Sequence, residues 1–294
     1  GVALTASAYD ASWNSTDQIP ERAVSSGLIG RFGGLDGSDG GASSRYALSY
    51  AARRGTDSTI DRINAYAVAY DLNLFSNFTF FLDDPVHGDQ FEQRDDRQFV
   101  GFKVDRQWIS SVGAFSNGAT RPLEVRAGFE ARADWIDNGL YSTVGRVRLG
   151  TTREDQIRQL SAAPFAEASL RVRPWLRVLG GLRADAYQAR VESDRPENSG
   201  TRSAILMSPK LSFELGPWRG AEIYLNSGFG FHSNDARGAT IRVDPKSGEA
   251  VARVQPLVRS EGLDLGLRFE PIPHWRSTLS LFALDLDSEL VFVG

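Results

Sequence analysis

From Leu123 to Trp135 the chain alternates without a break. Leu123, Val125, Ala127, Phe129, Ala131, Ala133 and Trp135 stand in register with Glu124, Arg126, Gly128, Glu130, Arg132 and Asp134. Successive side chains of a β-strand point to opposite faces, so this segment carries one apolar face and one heavily charged face. The pattern returns at Ala166–Val172, Leu211–Leu215, Ala221–Leu225 and Leu263–Phe269. No comparable stretch repeats apolar residues at helical spacing. The chain is read as all-β. Its charged face cannot enter a dry core unpaired, because desolvation of each lone charge is too costly. Either a wide wet lumen or a sheet with one solvated face must receive it.

The periodicity predicts eleven strands near 2–14, 43–53, 59–75, 95–108, 121–137, 150–169, 176–191, 204–215, 220–230, 257–270 and 276–290. Short links are expected at 54–58, 173–175, 216–219 and 271–275, with a somewhat longer one around 109–120. Long polar loops are expected near 15–42, 76–94, 138–149, 192–203 and 231–256. Such alternation matches a transmembrane barrel, with short turns on one side of the membrane and long loops on the other. Aromatics stand near the expected strand ends (Tyr9, Trp13, Tyr66, Tyr70, Phe75, Trp135, Trp175, Trp218 and Trp275), as an interfacial girdle requires. Eleven antiparallel strands leave the first and last parallel, so a closed meander is not expected from this count. Bacterial single-chain barrels have even counts. The chain opens at Gly1-Val2-Ala3-Leu4 and stops inside the apolar run Val291-Phe292-Val293-Gly294, so both ends read as cut and a partial barrel is expected.

Composition narrows the field from other directions. With no Cys there is no disulfide framework, thiolate metal site or cysteine nucleophile. Residues are 41% hydrophobic and 24% charged, with no apolar run long enough for a membrane helix. A formal net charge of −4, with Lys103, Lys210 and Lys246 the only lysines, offers no basic footprint for nucleic acid.

The segment Asn226-Ser227-Gly228-Phe229-Gly230-Phe231-His232-Ser233-Asn234-Asp235-Ala236-Arg237-Gly238 resembles the strand-to-loop signature in the barrel of TonB-dependent outer-membrane receptors. Ser208-Pro209-Lys210-Leu211-Ser212-Phe213 before it is similar to that family's "S-P-K/R-L-S" strand, and Pro256 to Arg268 after it to its "P-E-x-S-x-x-x-E-x-G-x-R" segment. Leu257 stands where that segment has its first Glu. The likeness is carried by about residues 165–294, and before them by the barrel pattern alone. It implies that residues 1–294 form part of one β-barrel domain, about eleven strands of an expected 22. It also implies an N-terminal plug that is not within this chain.

The implied function is energy-dependent uptake of a scarce nutrient, such as a siderophore or other metal chelate, across the bacterial outer membrane. The implied partners are outer-membrane lipid, a periplasmic energy-coupling protein of the TonB type and a small nutrient ligand. A passive porin shares the alternation and the long loops, and a soluble carbohydrate-binding β-protein is the remaining reading. The two competing readings make separate expectations: a porin admits small sugars without energy, and a soluble protein fractionates without detergent.

The loop residues singled out as ligand contacts are Phe78, Phe80, His87, His232, Asn234 and Arg237. Phe78, Phe80 and Phe81 form an exposed aromatic segment at a loop base, and either contact an aromatic or apolar ligand or pack the loop. His87 lies among Asp83, Asp84 and Asp89, whose oxygens suit a cation while their spacing departs from a calcium loop. His232 adjoins Ser233, Asn234 and Asp235, yet neighbours along a strand diverge and no G-x-S-x-G elbow occurs, so no catalysis is assigned. Arg237 suits an anionic ligand or a salt bridge within its loop. The Gly-rich stretch 30–41 lacks a following Lys-Ser/Thr and is read as a mobile extracellular loop. Neither a cofactor nor a metal ligand set is assigned.

Overall fold

The computed structural model describes residues 1–113, 120–272 and 274–288. Eleven strands form one antiparallel sheet whose order follows the chain. They are β1 (Val2–Asn14), β2 (Gly40–Gly55), β3 (Thr59–Ser76), β4 (Phe91–Val112), β5 (Arg121–Val144), β6 (Val147–Arg173), β7 (Leu176–Ser193), β8 (Gly200–Trp218), β9 (Ala221–Ser233), β10 (Leu257–Ile272) and β11 (Trp275–Leu286). The sheet is not closed: β1 and β11 are its two edges. Two five-residue helices interrupt the loops, α1 (Glu21–Ser25) and α2 (Ala236–Thr240).

Two links expected to be long are short. Around 138–149 the chain makes a two-residue turn at Gly145 and Arg146, with φ of 54° and 67°. Such left-handed pairs suit the twist of a hairpin. The 192–203 link contracts to a single turn around Pro196–Asn198. Strands β2, β4 and β8 likewise begin three or four residues before the expected 43, 95 and 204. The reason is physical. Where a strand rises past the bilayer both faces meet water, the apolar alternation stops, and the strand no longer differs in hydropathy from a loop. Residues 114–119, within the link expected around 109–120, and residues 289 and 290 at the end of the last expected strand lie outside the described residues.

The pairing registers put the alternating residues on common faces. On the outer face Ala127, Ala166 and Leu182 stand in one row, and Ala131, Ala162, Ala186 and Ile205 in another. From Leu123 to Trp135 this apolar stripe covers about 40 Å of strand, which a tilt of about 45° projects to about 28 Å, the height of a hydrocarbon layer. It ends at a polar row in which Asp10, Ser44, Asp71, Asp96, Asp137 and Gln156 are successive register partners. At the opposite end Trp175 and Trp218 lie 6.2 Å apart by ring centroid. β6, at 27 residues, projects to about 60 Å, so the wall stands well above the membrane.

A buried cluster sits on the inner face near the top of this wall. Ile136, Ile157 and Val191 are register partners on neighbouring strands, and Ala236 of α2 packs on them. The loop from β9 to β10 therefore folds inward instead of standing free.

Candidate ligand-binding site

The charged face is the inner wall, and its charges pair across strands. Asp105 on β4, with its side chain only 1% exposed, lies between Arg62 on β3 at 2.9 Å and Arg126 on β5 at 2.8 Å. Arg126 reaches on to Glu167 on β6, and Lys210 on β8 meets Glu167 at 2.6 Å. Arg183 bridges Glu130 and Asp185 at 3.0 and 2.8 Å. Each strand's alternation supplies the charges, and register brings opposite signs together. The wall is polar yet largely neutralised.

Above it, the two loops after β1 and β3 and the tip of the β5–β6 hairpin enclose a cavity of about 810 Å³. Leu28, Leu35, Phe80, Phe81 and Val144 supply its apolar lining, while Arg22 and His87 stand at it with charge or polarity. The loop at 77–90 is shaped by carboxylates that cap backbone N–H groups. Asp89 accepts from the N–H of Leu82, Asp83 and Asp84. Desolvation opposes ionisation of Asp89, but the Thr79 hydroxyl and these N–H groups together outweigh it and hold its carboxyl down to about 2. Asp84 accepts from the N–H of Val86 and His87 and pairs with His87 Nδ1 at 3.1 Å. Gly88 makes the return possible with a φ of +87°, and a Cβ there would stand 3.0 Å from the Phe80 carbonyl oxygen.

The floor is a closed polar network. Asp36 accepts from the N–H and hydroxyl of Ser38 at 2.9 and 2.5 Å, from Asn77 Nδ2 at 2.9 Å and from Gln90 Nε2 at 3.2 Å. Burial opposes ionisation of Asp36, but the Asn77 amide, the two Ser38 donors and the Arg146 charge outweigh it and hold the carboxyl below its usual range. Gln90 Oε1 accepts from Thr143 and from the Arg146 N–H, tying the floor to the β5–β6 hairpin. Behind the floor, burial and then the Asp36 charge push Asp39 up to about 6.

The six residues singled out by sequence separate into two groups. Phe80 and His87 line the cavity, and Phe78 packs at a tilt against Phe91 with centroids 5.5 Å apart. His232, Asn234 and Arg237 lie in or after β9. His232 is the register partner of Val258. Asn234 is buried, with its N–H and Nδ2 donating to the Pro256 and Gln255 carbonyls. Arg237 is chelated by Asp235, with Nη2 2.6 Å and Nε 3.0 Å from the carboxylate oxygens. Burial disfavours the Asp235 charge, but the Arg237 guanidinium outweighs that effect and holds the carboxyl below its ordinary value. An exposed contact at 2.5 Å between Lys246 and Asp83 joins the two loop groups.

Sequence reasoning missed Arg22, Leu28, Leu35 and the floor, and named Phe81 within the aromatic segment without singling it out as a contact. The Phe80-Phe81 doublet was one available signal. Instead of standing free, the Gly-rich stretch donates and accepts floor hydrogen bonds through Asp36, Ser38 and Asp39. Only the pairing of three distant segments reveals that role.

Three solved structures share the fold. They are the copper transporter OprC (14% identity, TM-score 0.59, 84% of this chain and 39% of that one), the unliganded ferric citrate transporter FecA (10%, 0.68, 97% and 40%) and the ferric-catecholate import receptor Fiu from E. coli K12 in its open form (13%, 0.59, 86% and 42%). This chain thus spans less than half the length of each. No curated protein matches it in sequence. The TonB dependent receptor-like, beta-barrel family model matches residues 3–294. With nearly the whole chain matched, and a lipid-facing stripe set against a charged inner wall, this protein belongs to that family and resides in the outer membrane of Gram-negative bacteria.

Proposed function

We propose that this barrel wall serves a receptor that captures a scarce small nutrient at the cell surface, such as a siderophore or other metal chelate. The nutrient is admitted by energy-dependent transport coupled to a periplasmic protein of the TonB type. The observation that carries the reading is the neutralised inner wall. A diffusion pore selects solutes through unpaired charges that set a field across water. Here Asp105 is held between two arginines, Arg183 serves Glu130 and Asp185 together, and Lys210 meets Glu167. A wall so paired suits a filled lumen. The loop cavity above it offers a place for first contact with the nutrient, and the copper, ferric citrate and ferric-catecholate transport of the three similar proteins agrees with that class.

The test uses the full-length protein. Cells expressing it are expected to accumulate a cognate chelate only while the inner membrane is energised and the coupling protein is present. Liposomes containing it are expected to resist swelling in small sugars. Ready swelling, with uptake indifferent to energy, would establish a passive pore and overturn the proposal.

A further inference from the structure

The loop cavity has a chemistry of its own. Leu28 and Phe81 are 71% and 61% exposed while converging on one hollow with Leu35, Phe80 and Val144. Apolar side chains gathered in this way mark a contact surface, unlike single ones scattered over a protein. The volume suits a small organic guest. Its polar floor has little left to offer. Asp36 already accepts four donors, the amide of Gln90 is engaged at both ends, and Asn77 donates to Asp36 while accepting from the Phe80 N–H.

The floor is also hostile to added negative charge, since Asp36 is held ionised there by its four donors, and burial and then the Asp36 charge push up Asp39 behind it. The neighbouring cations are mostly taken. Arg146 donates to Asn14 and to the Ser38 and Asp39 carbonyls, His87 pairs with Asp84, and Lys246 pairs with Asp83. Arg22, on α1 at the cavity, makes no ion pair or side-chain hydrogen bond among the described residues.

We propose that this cavity binds an amphiphilic small molecule carrying one carboxylate on an aromatic or other apolar body. The carboxylate meets Arg22, and the body lies against Leu28, Leu35, Phe80 and Phe81. The planar guanidinium favours a carboxylate over a point anion through its paired donors. A guest with several negative charges places the second one toward the floor, where Asp36 repels it. The inference rests on the receptor reading only in taking the cavity as the place of first ligand contact.

The test titrates detergent-solubilised full-length protein with 2-naphthoate, 2-naphthalenemethanol, 2-naphthylmethylammonium and acetate, followed by calorimetry. Naphthoate is expected to bind about tenfold more tightly than the alcohol, a difference of about 1.4 kcal/mol, with the ammonium no better than the alcohol and acetate undetected. Arg22→Gln is expected to erase the advantage of naphthoate over the alcohol, and Arg22→Lys to restore part of it. Phe81→Ala is expected to weaken naphthoate and alcohol alike by about three- to tenfold, through lost apolar burial. Both positions are exposed, so the variants test binding without endangering the fold. Equal binding of anion and cation, or naphthoate affinity unmoved by Arg22→Gln, would overturn the inference. Binding in detergent needs no energised membrane. Loss of energy-dependent uptake with naphthoate binding intact counts against the transport reading alone, and the reverse counts against the cavity alone.

Discussion

At the scale of single residues, the loops are organised by carboxylates facing backbone N–H groups. Asp89 has its carboxyl depressed to about 2, so its stabilisation of the 77–90 loop is fully present above the ordinary Asp value near 3.8. That contribution is lost as pH falls through about 2. Asp89→Asn is expected to reduce amide protection at Leu82, Asp83 and Asp84 by about tenfold, read by hydrogen exchange, because one neutral acceptor replaces a charged one. Unchanged protection would remove Asp89 as the organiser. Asp39 has the opposite sign. Its carboxyl is raised to about 6, so the folded loop binds the extra proton and loses stability as pH rises from about 4 through about 6. The loss is at most about 3 kcal/mol, from a shift of about two units. Asp39→Asn mimics the protonated form and is expected to flatten that dependence, measured as exchange of the 33–39 amides against pH.

At the scale of elements, the inner-wall ladder welds neighbouring strands. Asp105 is nearly inaccessible and serves Arg62 and Arg126 together. Asp105→Asn leaves both guanidiniums short of a partner and is expected to lower barrel stability by about 2 kcal/mol, since hydrogen bonds to charged groups are worth about 1.5–3 kcal/mol each and both arginines stay partly solvated. Heat-dependent loss of the folded band in detergent gels measures it. The Lys246–Asp83 contact is a contrast, with both side chains more than half exposed. Lys246→Ala is expected to change the same melting by less than about 0.5 kcal/mol, because exposed pairs contribute little. A larger drop would mean that the inter-loop tether is structural.

At the scale of the whole molecule, one stripe faces lipid and the other faces a charged interior, and loops at one end meet over the wall. The strand cores from Leu123 to Trp135 and from Leu263 to Phe269 were legible because lipid on one side and a polar lumen on the other impose period two on the residues themselves. Strand ends beyond Asp137 were not, because water on both faces erases that contrast. Phe80 and His87 were found as loop aromatics and polar groups, whereas Arg22, Leu28 and Leu35 carried no local mark.

The sequence by itself determined the strand count and the direction of the two faces, which follow from residue spacing along the chain, and the resemblance of residues 208–268 pointed to the family. The tertiary structure alone decided that Asp36 faces Asn77 and Gln90, that α2 packs inside the wall, and that Asp235 occupies Arg237. Those pairings join segments as far apart in the chain as Ile136 and Ala236. Local alternation constrains which way a side chain points, but only register and loop closure settle what it meets.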